Sequence, residues 1–286
     1  MIKSLLVPFD ASAASLSALS IACSISGLTH ASLIGLHVSD ERRLSRVPLS
    51  TALAGSIGIA PIVDAPLPPD ELLSVEEKLE HEAKDLLRVF DERCAQARVA
   101  GKFVTKLGIP ADTIIDAART VDFVVVGNSG EHEGIDHGQR GLTTNALLHH
   151  TTRPVLVVPE EPEGDSRIVI AYDGSAASER VLRAAAEFAE VTQLNEVHLL
   201  TISSDSEQCE RVQRLALEYL SAYDLELTRA VAQGKPAEAI VRYVDEVDAS
   251  VLALGAFGQN RLTERIFGST TSAVLKQTSA AVLLSS

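Results

Sequence analysis

The sequence predicts an α/β protein made of two tandem doubly wound parallel-sheet domains, five strands in each. Three observations carry that prediction. The chain repeats itself in order, short apolar runs alternate with stretches of helical period, and the aromatic supply is too small for an aromatic-rich β fold. Seven Phe, four Tyr and no Trp in 286 residues, beside an apolar share of 46%, favour aliphatic α/β cores.

The repeat is read first because it organises everything else. LLVPFDASAAS, from Leu5 to Ser15, matches IVIAYDGSAAS, from Ile168 to Ser178. Gly108-Ile-Pro-Ala-Asp matches Gly234-Lys-Pro-Ala-Glu, and Val124 to Gly130 matches Leu252 to Gly258. GLTTNALL at Gly141 matches GSTTSAVL at Gly268. The acidic, Pro- and Gly-containing stretch PEEPEGDS, Pro159 to Ser166, is a natural linker. The expected domains are 1–159 and 166–286.

Each half reads as β-α-β-α-β-α-β-α-β. In the second, strands are expected near 167–172, 195–202, 226–232, 249–254 and 280–284, with helices near 175–190, 206–222, 236–246 and 269–278. Strands such as Phe123-Val-Val-Val126 are continuously apolar, as in parallel sheets covered on both faces. The long helix of the first half lines up Leu72, Val75, Leu79, Ala83, Leu86, Phe90, Cys94 and Ala97, with charged residues elsewhere. One side should therefore lie on the sheet and the other in water. The halves differ after their second strand, where His37 to Gly108 spans 71 positions and Thr201 to Gly234 spans 33. The surplus is assigned mainly to an inserted loop at 39–70, either a lid or docking arm or a tolerated insertion.

Composition bounds the function. The net charge of -14 is shared by both halves, and neither has a basic face for nucleic acid or an anionic membrane. Three widely separated cysteines, Cys23, Cys94 and Cys209, fit reduced, half-buried thiols without a CxxC pairing. The opening MIKSLLVPFD is too short in apolar residues for a signal peptide, and no run approaches membrane-spanning length. A cytoplasmic location is expected.

The run GAFGQNRLTERIFGS, Gly255 to Ser269, carries the chemistry. Glycines let a backbone turn tightly and approach a ligand, and a helix start offers unpaired N–H groups and positive partial charge. A strand end, a glycine loop and a helix N-terminus together make a phosphate cradle. Gly255, Gly258, Gly268, Ser269 and Thr270 are expected to hold the phosphates, with Arg261 as a neutralising charge or a solvated one. Asp173, ending the first strand, would accept bonds from an adenine amino group or ribose hydroxyls; alternatively it turns the chain and caps the next helix. Ile202 would wall the base, and Val282 on the last strand is placed with the same site. The cluster His132, Glu133, Asp136 and His137 lacks zinc-site spacing and is read as a hydrated loop. No phosphate-binding GxxxxGK[ST] and no GxSxG occurs, and no general base is evident.

The spacing of glycine, two residues, glycine, nine residues, glycine and Ser/Thr resembles the nucleotide motif of the universal stress protein family, in its tandem form. Gly255, Gly258, Gly268 and Ser269 meet it in full. The resemblance implies a flavodoxin-like sheet binding ATP or another adenine nucleotide, with Mg2+ as a companion cation. It implies dimer-like packing of the two domains through their last strands, with a homodimer as a further level, and a role in stress survival. The first half departs from the motif: ten residues separate Gly130 from Gly141, Leu142 replaces the hydroxyl residue, and Ala11 replaces Gly174. Weak or absent nucleotide binding is expected there. Two other readings stay open, a slow ATPase or self-phosphorylating enzyme using Ser269 or Thr270, and a nucleotide-free scaffold.

Overall fold

The computed structural model describes residues 2–46, 65–66, 69–129, 142–255 and 269–285. The first half runs β1 (Ser4–Pro8), α1 (Ala13–Thr29), β2 (Ser32–Asp40), a 3₁₀ turn (Glu41–Leu44), β3 (Ser45–Arg46), β4 (Ala65–Pro66), α2 (Pro69–Ala97), β5 (Gly101–Gly108), α3 (Pro110–Ala118), β6 (Phe123–Gly127), α4 (Leu142–His150) and β7 (Val155–Val158). The second runs β8 (Asp165–Ala171), α5 (Ala176–Thr192), β9 (Glu196–Ile202), α6 (Ser206–Leu220), β10 (Glu226–Ala232), α7 (Pro236–Glu246), β11 (Ala249–Gly255), α8 (Ser269–Gln277) and β12 (Ala281–Ser285). The helices begin where side chains supply caps or proline supplies φ. Ser12, Ser175 and Asp205 cap α1, α5 and α6, and Pro110 and Pro236 open α3 and α7.

All main strands join one ten-stranded sheet, in the order β10-β9-β8-β11-β12-β7-β6-β1-β2-β5. Every neighbouring pair is parallel except β12 with β7, which are antiparallel, with Leu283 opposite Leu156. The tandem halves are therefore packed as a pseudo-dimer through their last strands. Within each half the order is third-second-first-fourth-fifth, so winding reverses between the first and fourth strands; a 2-1-3-4-5 sheet would reverse between first and third.

Alternation along each strand feeds two cores. Leu5, Val7, Ile168, Ile170 and Leu283 face α1, α2, α5 and α6 on one side, in a cluster that crosses the seam. Leu6, Val124, Val169, Leu252 and Leu284 face α3, α4, α7 and α8 on the other. Phe123 of β6 stacks on Phe188 of α5, with ring centroids 5.7 Å apart, and this contact also bridges the halves.

Most of the inserted loop expected at 39–70 lies outside the described residues, and only its ends are seen. β2 extends through Asp40 and α2 already begins at Pro69; α2 is 29 residues long where α6 has 15, so part of the surplus is helix. The short antiparallel pair β3–β4 closes the base of the insertion, and 47–64 lie outside the described residues. On α2, Leu79, Leu86, Phe90 and Cys94 are buried, whereas Ala97 at the end of the expected stripe is exposed. All three cysteines are fully buried, not half-buried. No helix among the described residues is long and apolar enough to cross a membrane.

Removing the Phe188 ring leaves a cavity against Phe123 at the junction of the halves. Phe188→Ala is expected to cost about 3 kcal/mol in urea denaturation, by loss of transfer energy and cavity formation.

Candidate functional site

Ligands of open α/β sheets lie beyond the carboxyl ends of strands where winding reverses. In the second half that point lies between β8 and β11, where Ala171 pairs with Leu254. Beyond it, the Tyr172 N–H donates to Leu200 O at 2.8 Å and carries the chain to Asp173. Gly174 then adopts φ +77, and Ser175 caps α5 by accepting from the Ser178 N–H at 3.2 Å. Asp173 Oδ1 accepts from the Ser175 N–H at 2.9 Å, so this carboxylate does turn the chain, while remaining exposed at the strand ends. Burial of part of the group pushes its pKa up, but hydrogen bonds from Ser175 and Ser178 outweigh that and hold it below the usual range. Asp173 is thus ionised at neutral pH and acts as an acceptor only.

Gly255 ends β11. A Cβ there would lie 2.9 Å from Ala177 Cβ and 3.0 Å from Ala177 C, so the glycine admits the first turn of α5. Gly127 does the same for Ala14 in the first half, at 2.8 Å. The close approach read in the sequence as meant for a ligand is first of all an approach of helix to strand. Thr271 Oγ1 donates to Gly255 O at 3.4 Å, as Thr144 does to Gly127 O at 3.3 Å. This bond holds the start of α8 beside the strand end, with Ser269 exposed and Thr270 half-buried. The first-turn N–H groups of α8 have no acceptor within the helix.

Asp173, Gly255, Ser269 and Thr270 therefore come together at one edge of the sheet. Ile202 joins them: β9 pairs with β8 so that Leu200 lies level with Ala171, which sets Ile202 level with Asp173. Val282 does not reach this edge. It is 1% exposed in the core facing α7 and α8, three residues short of the end of β12. Gly258, Arg261 and Gly268 lie outside the described residues, as do Gly130, Gly141, His132, Glu133, Asp136 and His137. Among the described residues no group of three or more His, Cys, Asp and Glu could hold a metal ion.

A supporting network was not anticipated from the sequence. Gln213 of α6 is wholly buried; its Nε2 donates to Ala230 O at 2.8 Å, Leu199 O at 3.1 Å and Thr201 Oγ1 at 3.2 Å. Thr201 Oγ1 in turn donates to Tyr172 O at 2.8 Å, one residue before Asp173. The available signal was a single polar residue on the apolar stripe Cys209, Gln213, Ala216, Leu220. In the first half Phe90 fills the corresponding space between β2 and β5, against Phe9 and Phe103. Cβ atoms on Gly35 or Gly101 would fall within 2.7 Å of its ring.

The first half presents a different mouth. A cleft of ≈ 580 Å³ lies between Asp10–Ala11 and α2, and Glu77, Glu82 and Asp85 line it with Lys78. Asp10 Oδ1 accepts from the Ser12 N–H at 3.0 Å and its hydroxyl at 2.6 Å, while Ala11 occupies the left-handed region at φ 59. Behind it His37 is buried, and burial pushes its pKa down despite the Phe9 carbonyl and nearby Glu82. With Asp10 on one side and Glu77, Glu82 and Asp85 of α2 on the other, carboxylates outnumber the cations Lys78 and His81 and disfavour a phosphate chain.

Three outcomes follow for the two mouths. Gly174→Ala is expected to cost about 1 kcal/mol by forcing a side chain into the left-handed region, since the nearest atom to its Cβ would be Val212 Cγ1 at an ordinary 3.4 Å. Ala11→Gly, read in the same urea titrations, should show no loss. Because the Asp173 pKa is depressed on folding, its contribution is present above the ordinary carboxylate range and disappears as pH falls through the folded value. The stability gap between the parent and Asp173→Asn should therefore be open at about pH 7 and shrink by about pH 3.

Comparison with known proteins agrees with this architecture. The profile of the universal stress protein family matches residues 52–159 and again 166–285. The second match spans β8 to β12, whereas the first starts beyond β2. A universal stress protein of Synechocystis sp. (strain ATCC 27184 / PCC 6803 / Kazusa) is 28% identical over 252 residues, covering 87% of each chain. One from Mycobacterium tuberculosis (strain ATCC 25618 / H37Rv) is 25% identical over 257 residues, or 80% of this chain and 83% of its own. The crystal structure of a universal stress protein from Archaeoglobus fulgidus DSM 4304 shares the fold, with a TM-score of 0.72 and 20% identity over 99% of this chain and 95% of that one. With two tandem profile matches lying on the two halves of one sheet, the chain belongs to the universal stress protein family.

Proposed function

We propose that the chain binds an adenine nucleotide, ATP foremost, at the carboxyl edge of β8, β9 and β11, and acts as a nucleotide-dependent binding module in a stress response. The observation that carries this reading is the start of α8 fastened by Thr271 to Gly255, one residue from the level of the exposed, ionised Asp173. Helix N–H groups suit the phosphates, a carboxylate acceptor suits amino and hydroxyl groups of adenosine, and Ile202 offers an apolar wall. The full motif spacing through Gly258, Gly268 and Ser269 supports the same site. Mg2+ would accompany the triphosphate as its counter-charge.

The opening half serves as the structural partner. Leu142 lacks the hydroxyl that Ser269 offers, and the cleft beside Asp10 is lined with carboxylates. A binding module needs only a difference in affinity between conformations.

Equilibrium dialysis with ATP should give one site per chain, and Gly268→Val should abolish it by placing a branched side chain where phosphate approaches. A folded Gly268→Val chain with unchanged affinity would reject the site, and two equivalent tight sites would reject the asymmetry. Sustained phosphate release from ATP would replace the binding module with an enzyme.

A further inference from the structure

His37 of β2 is 5% exposed, and its Nε2 has no hydrogen-bond partner among the described residues. Its Nδ1 lies 3.4 Å from Phe9 O, an acceptor, so the ring proton belongs on Nδ1. Burial pushes the pKa of the ring down, which keeps it neutral and leaves a lone pair on Nε2. A buried acceptor without a donor is costly.

That lone pair is directed to the cleft beside Asp10. Side chains alternate along β2, and Gly35 packs against the Phe90 ring of α2, so His37, two residues on, points to the same helix. The strand advances about 7 Å from Gly35 to His37, and Leu86 lies about 6 Å back along α2 from Phe90. Glu82 is one turn further back, and its charge, with that of Asp10, acts on the His37 ring. Leu86, Glu82 and Asp10 all line the cleft of ≈ 580 Å³.

We propose that this cleft binds a linear aliphatic polyamine, with one ammonium group at the His37 end and a second among the carboxylates of α2. An ammonium brings both the N–H donor that Nε2 lacks and the positive charge that Asp10 and Glu82 favour. Glu77 and Asp85, about two turns apart on α2, face a further ammonium, while Ala11 and Leu86 offer apolar wall to the methylenes between. A metal ion fits less well, since no group of three or more His, Cys, Asp and Glu among the described residues could hold one. Arg43 pairs with Glu82 at 2.9 Å and exposed His81 with Asp85 at 3.4 Å, so the amine shares these two carboxylates. Affinity is therefore moderate and falls with salt. The inference does not depend on nucleotide binding in the other half.

The test is calorimetric titration of the full chain with spermidine, without nucleotide and at low ionic strength. One saturable site per chain is expected, with singly charged n-butylamine roughly tenfold weaker or more. Glu77→Gln with Asp85→Asn, at exposed positions of α2, should weaken spermidine about fivefold. His37→Phe removes no charge and should still weaken it about tenfold, by loss of the buried acceptor. Asp245→Asn with Glu246→Gln, in the acidic groove between α7 and α8, should change nothing. Urea unfolding shows which variants are folded, and if His37→Phe is not, the two carboxylate pairs decide. Absence of saturable binding overturns the proposal, as does an equal loss from both carboxylate pairs, which would be general attraction to an acidic chain. Unchanged affinity in folded His37→Phe, or Mg2+ bound in preference to spermidine, overturns it as well.

Discussion

The antiparallel pairing of β7 with β12 is the constraint on which the rest of the molecule depends. Taken singly, each half would end in a strand that is apolar on both faces and has a row of unpaired backbone groups along one edge. Val155, Leu156 and Val157 meet Leu284, Leu283 and Val282 across the seam, and all six are essentially inaccessible. Both cores then run unbroken from one half to the other, and α1 and α5 come into contact above the seam. What remains at the outside edges is β5 and β10, whose exposed positions include Lys102, Lys106, Glu226 and Arg229. Charged residues on an edge strand discourage further sheet growth, so the sheet ends there.

Much of this architecture was legible in the residues. Apolar runs such as Val251 to Leu254, helix starts such as Pro236, and the repeat itself located the elements of the second half to within about two residues, the usual fraying of element ends. Strand order was not legible, because a period of two says which faces are buried and nothing about which neighbour lies alongside. The same limit hid the identity of the group lying against Gly255, which is created by packing between distant segments. Val282 misled for a related reason. An apolar residue near a motif reads alike whether it lines a mouth or fills a core, and only its depth along β12 separates the two.

The two copies solve one packing problem by different chemistry. Beneath their third strands, the second half places Gln213, whose amide is satisfied by two backbone carbonyls and Thr201, with Arg229 donating to its Oε1 at 3.3 Å. The first half places Phe90 there and requires Gly35 and Gly101 to make room. A satisfied polar network fixes geometry more sharply, because any displacement leaves buried groups unpaired. An aromatic cluster supplies apolar area with looser angular demands. The sharper arrangement sits behind Tyr172 and Asp173, on the side where the motif is intact.

Strand direction flips at the seam, and this has a geometric outcome for how the molecule meets its surroundings. Asp10 and Asp173, though equivalent by the internal repeat, emerge at opposite poles of a single slab. Whatever sits at one pole leaves the other uncovered. The acidic cleft beside Asp10 and the edge that carries Asp173 therefore open in opposite directions from one ten-stranded sheet.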